Sequence, residues 1–345
     1  MKINDAIKKI SKIPKCSVEI CKDYLLIDDD KILKSNSRTT IRIKVDEFSN
    51  IKGKFLISFE NIKKLIKIKN IKSFEIKDDL FICNGSIKVK FPIRTDVEEY
   101  PELNFNGDSI GSFSTPNYDI SYYCYTDKPT VDCVHLDSNN KRLVATNGHI
   151  LKIQNNIVNV SENILINKDS FKLLDLNKSY NVIKNDRLFI TIVDNDIEYR
   201  FETLDEKYPN IDQVIPKLDK TIPISISELK DVIKEILPFT NKKTNLIKFE
   251  VGKINPPFNS IKISAFDRES DITVEKNINC NDYEEQNIRG FNGEYLLHIL
   301  NEISENSLFY FNDSKYIDKI TEAHYFIDNN NDSLSLIMPL RILED

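Results

Sequence analysis

The sequence lacks the features that mark several classes of protein. No run approaches the roughly 20 apolar residues that a membrane-spanning helix needs. The N-terminus, MKINDAIKKISKIPK, has no apolar core and no cleavage site of a secretory signal. The six cysteines form no CxxC pair, and no His pair stands at metal-ligand spacing, which argues against a zinc site. These absences predict a cytoplasmic protein with buried, reduced thiols and with no metal or other cofactor.

The composition is that of folded domains and not of a protein that grips nucleic acid by charge alone. The chain has 345 residues, of which 40% are hydrophobic and 30% charged, so two or three domains are expected. Its net charge of −6 is unfavourable for binding phosphates. The charge is uneven, since residues 1–110 hold 22 Lys+Arg against 17 Asp+Glu, whereas the remainder holds 26 against 37. A DNA-binding role would need something other than overall attraction.

One helix start occurs three times along the chain. The segments are ISFENIKKL (57–65), INKDSFKLL (166–174) and FNGEYLLHI (291–299). In each, an apolar residue is followed by Ser or Asn and, two positions later, by an acid, and apolar residues recur five and eight positions after the first. A Ser or Asn side chain caps orphan N–H groups, and an acid in the first turn complements the helix dipole. The three segments therefore predict three equivalent helices.

Strand patterns follow each of these helices. Alternating apolar and polar residues, separated by Asn, Asp and Gly turns, predict half-buried strands. The predicted strands lie at 73–83 and 86–95, at 179–192 and 197–204, and at 307–313 and 333–342. The Tyr-Pro pairs Tyr100-Pro101 and Tyr208-Pro209 come after the first two sets, where Pro favours an extended exit.

Another unit of helix and strands precedes each shared helix. A helix at 3–13 precedes strands at 17–27 and 39–45. A helix at 225–237, with a capping box of Ser225 and Glu228, precedes strands at 246–251, 260–265 and 271–276. The middle copy, 118–125, is weak because aromatic residues crowd it. The chain thus reads as α+β, with three similar domains at 1–113, 114–217 and 218–345, each with two helices packed on antiparallel sheet.

Four strings carry a family resemblance: RLVATNGHILKI (142–153), KYPNIDQVIPK (207–217), FNGEYLLHIL (291–300) and LIMPLRI (336–342). In order and spacing they resemble the bacterial DNA polymerase III beta subunit, the sliding clamp. The resemblance covers nearly the whole chain and is strongest from about residue 142. It implies a head-to-tail homodimer whose six domains form a ring around duplex DNA, which a clamp loader opens and closes. Such a ring performs no chemistry, and topological linkage needs only weak, sequence-independent phosphate contacts.

The resemblance also implies a pocket between the second and third domains, which binds short apolar peptides of the replicative polymerase, the clamp loader and other DNA-processing proteins. Carried over by motif, its residues are Thr146, Gly148, His149, Leu151, Pro209, Val214, Tyr295, Leu336, Met338, Pro339 and Arg341. Apolar walls with a few polar groups suit a peptide-docking pocket. The plainer alternative is that Gly148 serves a tight turn and that Thr146 and His149 satisfy backbone groups. Leu336 and Met338 would then be core residues.

Lysines on the helices that would line the hole are candidate DNA-facing residues. They are expected to be exposed, and they are Lys8, Lys9, Lys12, Lys63, Lys64, Lys67, Lys230 and Lys234. The alternative for any one of them is a solvated helix face.

Departures from the family pattern leave partner preference open. Asn147, Ile150 and Gln213 stand where Asp, Arg and Arg are common, and Leu343-Glu344-Asp345 extends past the usual end. Two other functions stay open. One is a clamp-derived adaptor that binds protein partners without encircling DNA. The other is a cysteine hydrolase using Cys133 with His149, for which no activating motif surrounds the cysteine.

Overall fold

The structure is a computed structural model that describes residues 1–16, 18–125, 127–217, 221–222, 224–255, 258–267, 270–279, 287–311 and 323–342. The chain forms two compact units. The first consists of Met1–Ser121, Cys133–Lys141 and Ile157–Glu206, and the second of Tyr122–Asp132, Arg142–Asn156 and Lys207–Asp345. The three domains predicted from the sequence, with boundaries at 113 and 217, stay a prediction.

Short helices and many strands alternate along the described chain. The α-helices are α1 (Ile3–Ile10), α2 (Glu19–Asp23), α3 (Phe59–Lys63), α4 (Lys168–Phe171), α5 (Ile226–Ile236) and α6 (Gly293–Glu302). The strands of the first half are β1 (Tyr24–Asp28), β2 (Lys31–Ser35), β3 (Thr39–Lys44), β4 (Lys54–Ser58), β5 (Ser73–Lys77), β6 (Leu80–Asn84), β7 (Lys88–Arg94), β8 (Asp108–Ser114), β9 (Cys133–Asp137), β10 (Arg142–Thr146), β11 (Ile150–Gln154) and β12 (Val158–Val160). Those of the second half are β13 (Ile164–Asn167), β14 (Ser179–Lys184), β15 (Phe189–Asp194), β16 (Ile197–Glu202), β17 (Thr221–Ile222), β18 (Leu246–Asn255), β19 (Phe258–Asp267), β20 (Ile272–Asn279), β21 (Asn287–Asn292), β22 (Leu308–Tyr310), β23 (His324–Asp328) and β24 (Ser333–Ile337).

Twelve antiparallel strands form the main sheet of the first unit. Their order is β12-β8-β14-β15-β16-β3-β2-β1-β4-β7-β6-β5. The β16–β3 pair, with Tyr199 opposite Ile41, joins strands from the second sequence repeat to strands from the first. In the same unit β13 pairs with β9.

The second unit contains two antiparallel arrays. One has the order β10-β11-β24-β23-β22-β17, and the other the order β20-β19-β18-β21. Leu151 of β11 lies opposite Leu336 of β24. This pairing brings the motif that contains Gly148 and His149 beside the C-terminal string of the sequence.

The threefold helix start is confirmed, with side-chain caps in two of the three copies. Asn167 is the N-cap of α4 and accepts a hydrogen bond from the Asp169 N–H. Asn292 is the N-cap of α6 and accepts from the N–H groups of Glu294 and Tyr295. Ser58 is the N-cap of α3, although its side chain makes no capping bond. All six repeated apolar positions are buried, namely Ile62, Leu65, Phe171, Leu174, Leu296 and Ile299.

The predicted strands occur, some with shorter bounds and those before the third helix with longer ones. The segments 73–95 and 179–204 split into β5 to β7 and β14 to β16, and β18 to β20 correspond to the strands before the third helix. The segment 307–313 contains β22, which ends at Tyr310. Residues 312–313 lie outside the described part of the chain.

Two helix predictions and one strand prediction near the domain starts need correction. The helix at 3–13 ends at Ile10, where the Ser11 hydroxyl donates to the Ile7 carbonyl at 2.6 Å and Pro14 follows shortly. The strand predicted at 17–27 begins only at β1, because α2 precedes it. The middle copy forms a single 3₁₀ turn, Ile120–Tyr123, as its crowded aromatic residues suggest.

Candidate functional site

A cavity of about 720 Å³ opens in the second unit. Eight of the residues assigned to the peptide pocket line it: Thr146, Gly148, His149, Leu151, Pro209, Val214, Leu336 and Met338. They come from the β10–β11 hairpin, from the segment after Tyr208 and from the end of β24. The structure thus brings together residues that stand up to 192 positions apart in the sequence.

The β10–β11 turn is built by its own polar side chains. The Thr146 hydroxyl donates to the Ile150 carbonyl at 2.7 Å, and the Asn147 carboxamide oxygen accepts from the N–H groups of His149 and Ile150 at 2.8 Å each. Gly148 has a φ of 84°, a conformation that favours glycine. Thr146 and Gly148 therefore do shape the turn, as the plainer alternative held. The backbone contacts that this alternative gave to His149 are made by Asn147 instead. The His149 side chain is exposed, and its ring stacks towards that of Tyr295 with centroids 6.3 Å apart.

The floor of the cavity is apolar and its walls are held by hydrogen bonds. Leu151 and Leu336 are buried neighbours across the β11–β24 pair. The Met338 N–H donates to the His149 carbonyl at 2.8 Å, which continues the pairing beyond the end of β24. Met338 itself is only half-buried, so its flexible side chain is accessible from the cavity.

Another wall is the loop 209–214, which is held in place by an ion pair. Val214 is 53% exposed and lines the cavity. The loop contains a 3₁₀ turn, Ile211–Gln213. The Asp212 N–H at the start of this turn donates to the Asn210 side-chain oxygen at 3.2 Å. The Arg142 guanidinium donates to both carboxylate oxygens of Asp212, at 2.9 and 3.0 Å. This bidentate pair ties the loop to β10.

Three assigned pocket residues do not line this cavity. Leu340 donates from its backbone N–H to the Gly290 carbonyl at 2.8 Å, which turns the C-terminal segment towards β21. Arg341 therefore lines a separate cavity of about 590 Å³ over β18 to β20. Pro339 lines neither of these two cavities, and Tyr295 is placed near the first by its ring contact with His149. The tail Leu343-Glu344-Asp345 lies outside the described residues.

Sequence reasoning missed one wall of the cavity. It consists of Tyr125, Lys128, Thr130 and Val131. A bond of 2.9 Å from the Tyr125 N–H to the Val131 carbonyl closes this loop. No motif marks this loop. The only signal in the sequence is that it stands shortly before the string at 142–153. Asn147, Ile150, Asn210 and Ile211 also line the cavity. The first three are adjacent to assigned residues, and Ile211 stands two positions after Pro209.

A buried ionic network lies behind the cavity floor. Lys152 follows Leu151 on β11, and its fully buried ammonium group donates to the Ser335 hydroxyl at 2.8 Å. Glu302 of α6 lies 3.8 Å from that ammonium group and accepts a bond of 2.8 Å from the Tyr123 hydroxyl. The His298 Nε2 atom lies 2.9 Å from the same carboxylate. Burial lowers the pKa of Lys152 to about 8, against the opposing pull of Glu302 and Asp328.

The candidate DNA-facing lysines divide into three groups. Lys9 was expected to be exposed, and this is wrong: it is 8% exposed, and its ammonium group lies 2.6 Å from the Asp175 carboxylate. Burial lowers the pKa of Lys9, and Asp175 opposes that shift. Lys12 and Lys67 are exposed, but Lys12 lies beyond the end of α1 and Lys67 is in a 3₁₀ turn.

The remaining candidates lie on helices, except Lys64, which begins the 3₁₀ turn that also contains Lys67. Lys8, Lys63 and Lys234 each approach an acid three residues earlier, at 3.8, 2.6 and 3.8 Å respectively. Lys64 donates to the Asn61 side chain at 2.8 Å, and Lys230 is half-buried. Most of these charges are thus balanced locally, which reduces the net positive field of the helix faces.

The alternative of a cysteine hydrolase gains no support from the site. Cys133 is 3% exposed, whereas a catalytic thiol must reach substrate. Within the described ranges, no three His, Cys, Asp or Glu side chains are grouped to hold a metal ion. No helix in the same ranges is long and apolar enough to cross a membrane.

Sequence comparisons find no relative, whereas structural comparisons find many. No protein-family model and no curated protein matches the chain. The DNA polymerase III beta subunit of Thermotoga maritima superposes with a TM-score of 0.82 and 20% identity, over 99% of this chain and 98% of that chain. The beta chain of Streptococcus pneumoniae gives 0.80 and 17%, and the sliding clamp of Bacillus subtilis 0.79 and 17%, each over 99% of this chain and 98% of the other. The predicted fold class is confirmed: the chain has the fold of the bacterial DNA polymerase III beta subunits, the sliding clamps.

Proposed function

We propose that this protein is a DNA sliding clamp, a non-enzymatic processivity factor. Two copies form a ring that encircles duplex DNA without reading its sequence. The ring tethers the replicative polymerase, the clamp loader and other DNA-processing proteins through the cavity of the second unit. The observation that carries the proposal is the fold shared with sliding clamps over 99% of the chain. The assembly of eight assigned pocket residues around one cavity supports it.

The cavity has the size and chemistry that an apolar peptide needs. Its volume of about 720 Å³ is within the range of ligand pockets. Leu151 and Leu336 offer an apolar floor, and the half-exposed Met338 and Val214 offer walls that an incoming side chain can cover. Burying one Leu or Phe side chain of a partner there contributes roughly 1.5–3 kcal/mol. Two such side chains on an extended segment would give a specific but reversible contact.

The strand pairing of the chain itself suggests how a ring closes. In the first unit, the last strand of the second repeat (β16) pairs with the third strand of the first repeat (β3). In the second unit, the last strand of the third repeat (β24) pairs with the third strand of the second repeat (β11). Counted from the first helix of each repeat, β3, β11 and β20 are each the third strand, and counted from the shared helix, β7, β16 and β24 are each the third. The same rule therefore next pairs β7 with β20. Two chains joined head to tail satisfy this rule twice and close a ring.

Both strands are suited to this pairing. β20 is the terminal strand of its sheet, and β7 pairs with β4 only at Leu56–Arg94 and Ile57–Ile93. An open strand edge exposes backbone donors and acceptors that a second chain can satisfy. The exposed charged side chains are Lys88 and Lys90 on β7, and Glu275 and Lys276 on β20, where Glu275 lies 2.7 Å from the Lys262 ammonium group.

Light scattering after gel filtration tests this assembly. We expect a dimer at micromolar concentration. Glu275→Lys should shift the population to monomer by placing like charges on both strands, and Lys90→Glu in the same chain should restore the dimer. A strict monomer in the wild type would contradict the ring. It would favour the adaptor that binds protein partners without encircling DNA.

A further inference from the structure

Two thiols lie side by side at the start of the first unit. Cys21 is on α2 and fully buried, whereas Cys16 precedes α2 and is half-buried. The Cys16 side chain packs against the small buried cluster formed by Cys21, Leu56 and Tyr100. Cys16 therefore differs from the buried, inert thiols that the sequence predicts, because an oxidant in solution can reach it while its neighbour is shielded.

A buried lysine organises the backbone around this pair. The Lys34 ammonium group donates to the carbonyl of Cys21, and to those of Lys22 and Tyr24 at 3.0 and 3.1 Å. It thereby caps the last carbonyls of α2. At the other end of α2, the Cys16 sulfur accepts a bond of 3.3 Å from the Val18 N–H. A helix of five residues is thus held between a sulfur and an ammonium group.

The same lysine acts electrostatically on both sulfurs. Burial raises the pKa of the Cys21 thiol to about 11, and the Lys34 charge opposes this shift. Burial lowers the pKa of Lys34 to about 8, and the two cysteines oppose that shift in turn. A neighbouring cation favours the thiolate, which is the form that reacts with oxidants and disulfides. The pair therefore has an accessible thiol, an adjacent second thiol and a fixed cation.

We propose that Cys16 and Cys21 form a redox-active pair, which a hydroperoxide oxidises to an intramolecular disulfide. The Cys16 thiolate attacks the peroxide, so that an S–O bond forms, the O–O bond breaks and hydroxide leaves to become water. The Cys21 thiol then attacks the Cys16 sulfur of this sulfenic acid: an S–S bond forms, the S–O bond breaks, and the departing hydroxide takes the Cys21 proton and leaves as a second water. Two thiols are oxidised and one hydrogen peroxide is reduced to two waters. The product ties the segment that leaves α1 to α2.

Disulfides of intracellular proteins are usually transient and redox-sensing. The proposal is independent of the clamp function. A thiol reductant reverses the step by exchange, through a mixed disulfide with the more accessible Cys16.

Peptide mapping of the full-length protein tests the pair directly. Trypsin cleaves after Lys15 and Lys22, so one peptide, CSVEICK, contains both cysteines. After treatment of the native protein with hydrogen peroxide and blocking of remaining thiols by iodoacetamide, this peptide should be lighter by two hydrogens and carry no alkyl group. Dithiothreitol before blocking should restore two alkyl groups. Cys83, which is fully buried, is an internal control that should stay reduced and become alkylated once unfolded.

Two variants complete the experiment. Cys83→Ser should leave the linked peptide unchanged, whereas Cys16→Ser should abolish it and leave Cys21 fully alkylated. The proposal is overturned if the wild-type peptide carries two alkyl groups after peroxide. It is also overturned if Cys16 accumulates as sulfinic acid without a linked form, because this would show that Cys21 does not reach it.

Discussion

Lys152 gives the sharpest test of the electrostatics behind the cavity. Its side chain is fully buried, and burial lowers its pKa from 10.5 to about 8. In the unfolded chain the same ammonium group regains its ordinary pKa. Below about pH 8 both states are protonated, and folding bears the whole cost of burying the charge, about 3 kcal/mol.

The sign of the pH dependence follows from this shift. Between about pH 8 and pH 10.5 the folded state is neutral at Lys152 while the unfolded state still binds a proton. Because the unfolded state binds more protons in this window, the free energy of unfolding rises with pH there. From about pH 7.5 to about pH 9.5 the gain should be about 2 kcal/mol.

The comparison is between the wild type and Lys152→Met/Glu302→Gln, which removes both charges and keeps similar volumes. Urea unfolding at the two pH values, followed by circular dichroism, gives the free energy of each protein. The free energy of unfolding of the wild type minus that of the double variant should be about 2 kcal/mol larger at the higher pH than at the lower one. Other groups, including Lys34, titrate equally in both proteins, so their contributions cancel.

An exposed lysine of the same unit provides the control. Lys242→Met should show no such change with pH, because that side chain is in solvent. If the difference between the wild type and the double variant is the same at both pH values, or moves towards the variant, Lys152 is not buried as an ammonium group.

Three further predictions concern the cavity and the repeated helix start. Met338→Ala should weaken binding of a fluorescent clamp-binding peptide about tenfold or more, because it removes a half-buried wall of the cavity. Phe266→Ala in the separate cavity should leave the affinity unchanged. Equal affinities of the two variants in a titration would remove the pocket assignment. Asn292→Ala should lower the free energy of unfolding by about 1 kcal/mol, and Ser58→Ala by less, since only Asn292 makes capping bonds; equal losses in urea would contradict the cap. Gly148→Ala should cost about 1 kcal/mol through its positive φ alone, because no atom lies within 4 Å of an added Cβ, and an unchanged melting temperature would show that the turn relaxes.

Local patterns made much of the fold predictable. The caps Asn167 and Asn292 and the buried positions that follow them depend on spacing along one helix, which a sequence displays directly. The third repeat's helix with its Ser225 cap was predictable for the same reason, since the hydroxyl accepts from the Glu228 N–H at 3.2 Å.

Contacts between distant segments explain the misses. α2 is capped by Lys34, which follows it by 11 residues and has no helical relation to it, so the strand prediction failed there. Lys9 looks like any lysine of an amphipathic helix until Asp175 is placed beside it. The Leu340–Gly290 contact likewise diverts Arg341 from the cavity. In each case the deciding partner stands far away in the sequence.

The two Tyr-Pro pairs now have different surroundings. Tyr100 is buried, and its hydroxyl accepts from the Ser35 N–H at 3.1 Å, which anchors the exit predicted for the first domain. Tyr208 is buried as well, but the exposed Pro209 that follows it lines the cavity. Both copies of the dipeptide thus have a buried tyrosine, and only the second copy contributes to the candidate site.

Retention on circular DNA tests the central claim most directly. The protein is loaded by its cognate clamp loader with ATP onto a singly nicked plasmid, and free protein is removed by gel filtration in a buffer of high salt concentration, which suppresses simple phosphate binding. The account predicts that the protein stays with the circle and is lost when a restriction enzyme linearises it. Loss from the circle and from linear DNA at the same rate would contradict encirclement.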